Sequence, residues 1–144
     1  MIQGLSLRST LRLALFGLSL AVIGGCGETR SELDQLETTS QELASTLRWG
    51  DPLRLAEFID PSLREQLSPR GLAAERWRQV RVAVFRAEPP TLISPSQAQQ
   101  SVSFELINQN TQAVRELSSA LTWRYDEQAK RWWLTSGLPE LAPR

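Results

Sequence analysis

The sequence predicts an α+β domain in which N-terminal helices pack on a four-stranded antiparallel sheet built from the rest of the chain. Three observations point there. Apolar residues recur at helical spacing before residue 78, they alternate with period two after it, and the last three alternating runs are joined by short polar links. Links that short join antiparallel strands, because parallel neighbours need crossovers of a dozen residues or more. Helices first and strands afterwards is the order of segregated layers, with the helices on one face of the sheet. A chain of 144 residues has room for one such domain.

The elements follow in order. Ser31-Glu32-Leu33-Asp34 reads as an N-cap with an acid three residues on. Leu33, Leu36, Leu43 and Leu47 then share a helical face that Ser40 interrupts, so a helix is predicted over 31–49, closed by Trp49-Gly50. Asp51-Pro52 is a second start signal, with proline at the position where its missing N–H is harmless, and opens a short helix carrying Leu53, Leu55, Ala56, Phe58 and Ile59. Asp60-Pro61 repeats the signal for a turn or two through Leu67. Ser68-Pro69 and Gly71 break the chain again before a brief helix over 72–77.

Beyond it Val80, Val82 and Val84 alternate with Arg81, Ala83 and Phe85, a strand that Glu88-Pro89-Pro90 ends, with 91–96 as a loop. Val102, Phe104 and Leu106 alternate with Ser101, Ser103 and Glu105 up to the polar turn Asn108–Thr111. Leu117, Leu121, Trp123 and Tyr125 share one face of a long strand, and residues 126–130 turn the chain into a last strand over 131–136.

Composition excludes several chemistries. With 16 basic and 16 acidic residues the chain has no basic footprint for nucleic acid. It has no His and one Cys, so a His-dependent triad, a His-ligated metal, an internal disulfide and a Cys-cluster zinc site are all ruled out. No metal and no cofactor is expected, and the domain is read as non-catalytic.

Residues 1–25 differ from all that follows. They hold no acid, carry Arg8 and Arg12, and then run apolar for 11 residues from Leu13 to Ile23. A positive start before an apolar stretch of that length is a secretory signal peptide, and it falls short of the roughly 20 residues a spanning helix needs. Ile23-Gly24-Gly25-Cys26 follows at once. This motif resembles the lipobox of bacterial lipoproteins, in which an aliphatic and two small residues precede the cysteine. The resemblance covers residues 1–27. It implies cleavage between Gly25 and Cys26, a diacylglyceryl thioether on Cys26 and a third acyl chain on its freed amine. Three chains hold firmly, since each buried CH₂ contributes about 0.8 kcal/mol and one chain alone is marginal. In that family Asp at the next position retains the protein at the inner membrane; here the position is Gly27, which points to the outer membrane, facing the periplasm.

Removing residues 1–25 takes away two arginines and no acid, leaving a mature charge of −2. Residues 26–30 are then anchor and short tether, and 31–144 the domain. At roughly 3.3 Å per extended residue the tether holds the domain within about 20 Å of the lipid.

The order of helices, hinge and closing hairpin is similar to the cystatin-like or nuclear-transport-factor-2-like cone in layout over 31–137, without a diagnostic motif, and such scaffolds host many functions. Trp132 and Trp133 are adjacent in a strand, so one ring enters the core and the other lies on the second face, beside Phe85 and Ile107. With Arg81, the residues Trp132, Trp133 and Phe85 form a candidate interaction surface, because Trp and Arg dominate such contacts. Arg76, Arg78, Arg81 and Arg86 offer an anion site or, more simply, charges that guard a sheet edge. Asp51 and Asp60 read as helix caps, while Glu57 and Glu65 face water. Leu53, Phe58, Phe104, Leu121 and Trp123 are candidates to line a cavity, or else fill the core. The leading expectation is a lipid-anchored accessory module with an envelope protein as partner. The alternative is a periplasmic binder of a small hydrophobic ligand, and an enzyme of the cone superfamily comes last.

Overall fold

A computed structural model describes residues 25–141. The signal-peptide reading of residues 1–24, including Ile23 and Gly24 of the motif, lies outside the described residues.

The first helix, α1, runs Gly25–Trp49. It begins six residues ahead of Ser31, which is therefore an interior residue and not an N-cap, and residues 26–30 are helical rather than an extended tether. No proline interrupts that stretch, and once a helix is nucleated each further residue adds a bond. Leu36, Leu43 and Leu47 are buried as their spacing requires, and so is Ser40. The serine hydroxyl donates to Gln100 Oε1 at 3.0 Å, and Gln100 Nε2 donates to the Glu88 carbonyl at 2.9 Å. The gap in the leucine stripe thus faces a buried amide that needs a donor.

A 3₁₀ turn, Pro52–Glu57, follows, capped by Asp51, whose Oδ1 accepts from Leu53 N–H at 2.9 Å. Two short helices, α2 (Arg64–Leu67) and α3 (Gly71–Arg78), lead into the sheet.

The strands are β1 (Val80–Ala87), β2 (Thr91–Ser94), β3 (Gln97–Asn108), β4 (Val114–Asp126) and β5 (Arg131–Leu134), all antiparallel in the order β1-β3-β4-β5. The predicted loop 91–96 contains β2. It pairs with the start of β3, on the same edge that β1 occupies further along, because β3 begins at Gln97 and offers free backbone there. β1 and β2 are one edge strand interrupted at Pro89-Pro90. A bulge between Val82 and Val84 then changes the phase of β1, so that Phe85 lies opposite Phe104 and meets it edge to face at 5.1 Å.

One core lies between α1, the turn after it, α3 and the inner sheet face. Trp77, Val82, Phe104, Leu106, Leu121, Trp123, Tyr125, Trp132 and Leu134 belong to it. The outer edge of β5 is closed: Asp60 N–H donates to the Leu134 carbonyl at 2.9 Å, and Leu134 N–H to the Phe58 carbonyl at 2.8 Å. β4 is longer than β5, which pairs only with Trp123–Asp126. No helix among the described residues is long and apolar enough to cross a membrane.

Candidate interaction surface

Neighbouring residues of a strand point to opposite faces, and β5 shows this at its two tryptophans. Trp132 is fully buried, tilted against Tyr125 at 5.2 Å, and its Nε1 donates to the Glu32 carbonyl at 2.7 Å. It ties α1 to the sheet and is a core residue, so it leaves the candidate surface. Trp133 takes the outer face and is half-buried there. The Arg131 guanidinium sits 3.9 Å from its ring centroid, Nε1 donates to Asp126 Oδ2 at 3.3 Å, and Arg124 stands directly opposite on β4. A cation this close to an indole face is held by the ring quadrupole.

The acids of this face are engaged. Asp126 Oδ1 accepts from Gln128 and Ala129 N–H, both at 3.0 Å, and so shapes the β4–β5 turn. The Ala129 and Gln128 amides and the Trp133 indole N–H hold its carboxyl below the usual range. Asp60 is buried and does more than cap a turn. Oδ1 accepts from Ser62 N–H at 3.0 Å and Ser62 Oγ at 2.7 Å, while Oδ2 accepts from Arg124 Nε at 2.9 Å and Nη2 at 2.5 Å. Burial alone pushes the Asp60 carboxyl up, but hydrogen bonds from Arg124 and Ser62 outweigh it and hold the carboxyl below its ordinary value. The array Asp60–Arg124–Trp133–Arg131 is therefore preorganised, which suits recognition more than proton transfer.

The other two surface candidates lie elsewhere. Phe85 is on the core face, turned there by the bulge. Arg81 is exposed on β1, at the far side of the sheet from β5. It lines a cleft of about 210 Å³ with Arg48, Arg78 and Asp51, and Arg78 pairs with Glu75. Arg76 donates to the Leu141 carbonyl at 3.2 Å, and Arg86 lies opposite Ser103 at the other end of β1, so the four arginines form no single site. Glu57 and Glu65 are exposed as expected, with Glu57 paired to Arg54 at 2.9 Å. Phe58, Phe104, Leu121 and Trp123 are buried in the core cluster with Leu53 packed against it. Trp123 Nε1 finds no hydrogen-bond acceptor. Among the described residues no three acidic or Cys side chains gather as a metal site.

Arg124, Arg131 and Asp126 were passed over in the sequence. For Arg124 and Asp126 the signal is the even phase of β4, where Thr122, Arg124 and Asp126 are polar between the buried Leu121, Trp123 and Tyr125; for Arg131 it is the position two before Trp133 on β5, which puts both on one face.

No protein-family model and no curated protein matches the chain. Among solved structures it is similar to a SEC-C motif containing protein from Psychrobacter arcticus, known from a crystal structure at 1.75 Å resolution. The TM-score is 0.54 at 12% sequence identity, over 78% of this chain and 65% of that one. This chain thus spans less than two thirds of that protein's length, and what the two share is the α+β fold.

Proposed function

We propose that this chain is a lipid-anchored lipoprotein of a bacterial envelope, acylated at Cys26, whose domain is a non-catalytic accessory module at the membrane surface. The observation that carries the reading is Ile23-Gly24-Gly25-Cys26 directly after the apolar run Leu13–Ile23, with Arg8 and Arg12 before it. Gly27 in place of Asp favours the outer membrane with the domain facing the periplasm. Because α1 begins at Gly25, an acylated Cys26 would sit in the first turn of a helix that Trp132 clasps at Glu32. Six residues at about 1.5 Å each are some 9 Å, so the outer face around Trp133 and Arg131 would work close to the lipid, against an envelope protein.

The test is intact mass and N-terminal sequence of the full chain recovered from bacterial membranes, beside Cys26→Ser. Three acyl chains on a protein that starts at Cys26, and none on an uncleaved Cys26→Ser form, are expected. A free Cys26 thiol with unchanged membrane fractionation overturns the reading. In-cell crosslinking of the anchored chain then tests the surface: Trp133→Ala is expected to lose a partner that the parent captures.

The hydrophobic-ligand reading keeps one supporting atom, the buried and unpartnered Trp123 Nε1, since a ligand acceptor would satisfy it. Lipid extracts of the purified chain that change its tryptophan fluorescence would favour it; an empty extract and an unchanged spectrum would remove it.

A further inference from the structure

The far edge of β4 has a property independent of the anchor. Thr122 N–H is met by Ser136 Oγ at 3.1 Å and Thr122 C=O accepts from Thr135 N–H at 2.8 Å, both on the side away from β3. Backbone direction in a ladder repeats every second residue, so Ala120, Ser118, Glu116 and Val114 also aim their N–H and C=O groups outward. No described strand pairs with them, because β5 ends its register at Trp123. The stretch has no proline, and its two charges, Arg115 and Glu116, are of opposite sign and lie on opposite faces. Val114, at its start, is 58% exposed.

We infer that this edge, residues 114–120, pairs antiparallel with the same edge of a second copy of the chain, with Leu117 opposite Leu117. The register is self-complementary. On the outer face it sets exposed Val114 against Ala120 and Glu116 against Ser118; on the inner face it sets Leu117 against Leu117 and Arg115 against Ser119. Apolar meets apolar, polar meets polar, and no like charges stand directly opposite. All four outward residues of each copy find partners. Sliding one copy so that Glu116 faces Glu116 opposes two carboxylates. Sliding it the other way sets Val114 against Thr122, whose N–H and C=O Ser136 and Thr135 already hold. The two Glu116 side chains of the favoured register fall on the diagonal, about 7–8 Å apart, a distance at which salt screens part of the repulsion.

The experiment is the protein mass of the full chain in mild detergent by light scattering, with Ser118→Pro as the blocking variant. Proline there removes an N–H that points away from β3, which an edge strand tolerates. Twice the mass of one processed chain, measured by denaturing mass spectrometry of the same sample, is expected for the parent, and a single-chain mass for Ser118→Pro at an unchanged circular-dichroism spectrum. A single-chain parent at the highest concentration reached, or a Ser118→Pro form that folds and stays paired, overturns the inference. Should Ser118→Pro unfold, register decides. In a Cys26→Ser background, Val114→Cys and Ala120→Cys chains are expected to disulfide-link when mixed, several-fold above either alone, because like positions lie about 20 Å apart along the strand. Equal or absent linking in the mixture overturns it.

Discussion

Asp60 brings a negative charge to a position where its side chain is 6% exposed, and the guanidinium that makes this tolerable comes from 64 residues further on. Removing one partner of such a pair strands the other, so Arg124→Met is expected to destabilise the domain by about 2–4 kcal/mol, reduced from the fully buried case because Arg124 is 39% exposed. Replacing both, as Asp60→Asn with Arg124→Met, recovers part of the loss, and a double-mutant cycle from thermal melts measures it. The pH dependence has a definite sign. The folded carboxyl titrates below its unfolded value, so its contribution is complete above the unfolded value and is lost as pH falls through the folded one. In the Arg124→Met form that part of the acid-side slope shrinks. Elsewhere on the outer face Glu105 lies directly opposite Glu116, and like charges so placed destabilise a sheet. Glu105→Lys is expected to raise stability by about 0.2–1 kcal/mol, read as an upward shift of the melting temperature.

At the scale of the element, α1 is held by two clasps of different kinds. Near its start Trp132 donates to the Glu32 carbonyl, and at its middle Ser40 donates to Gln100. Ser40→Ala leaves a buried amide oxygen unmet and is expected to lower stability by about 1–3 kcal/mol. Trp132→Phe keeps most of the ring but drops the hydrogen bond. Amide exchange is expected to accelerate over Glu32–Leu36 while Leu43–Leu47 keeps its protection, because the lower turns are packed by leucines of their own.

Much of the architecture could be read from residues that carry their own local signal. Asp51-Pro52 is a cap in one dimension and in three. The alternation in β3 and β4 needed no knowledge of neighbours, since each strand is half-buried on one face. What escaped depends on contacts distant in sequence. The bulge at Val82–Val84 leaves no mark in a run of valines, so Phe85 read as outward although Phe104 draws it in. The opposition of Trp132 and Trp133 follows from adjacency, but which of them is inside depends on where Glu32 lies. Asp60 shows a cap signature that is real, as Ser62 attests, and that hides its pairing with Arg124.

For the whole molecule, the continuity of α1 back to Gly25 decides how the domain would sit on a membrane. A helix continuous from the proposed anchor into the domain would fix both distance and orientation, as an unstructured tether would not. Inserting a Gly/Ser segment after Gly27 is therefore expected to leave acylation and membrane fractionation intact while partner capture through the Trp133 face falls. Unchanged capture would mean that the face acts without a fixed height above the lipid.

The interruption of the first strand bears on assembly in another way. On that side of the sheet the backbone is bulged at Val82–Val84 and broken at Pro89-Pro90, and α1 and α3 pack against β1. Prolines offer no N–H and bulges twist an edge away from a flat partner. Among the described residues the sheet thus has a valence of one: with a single joinable margin it can be completed by a copy of itself, and after that no described margin is left from which a filament could grow.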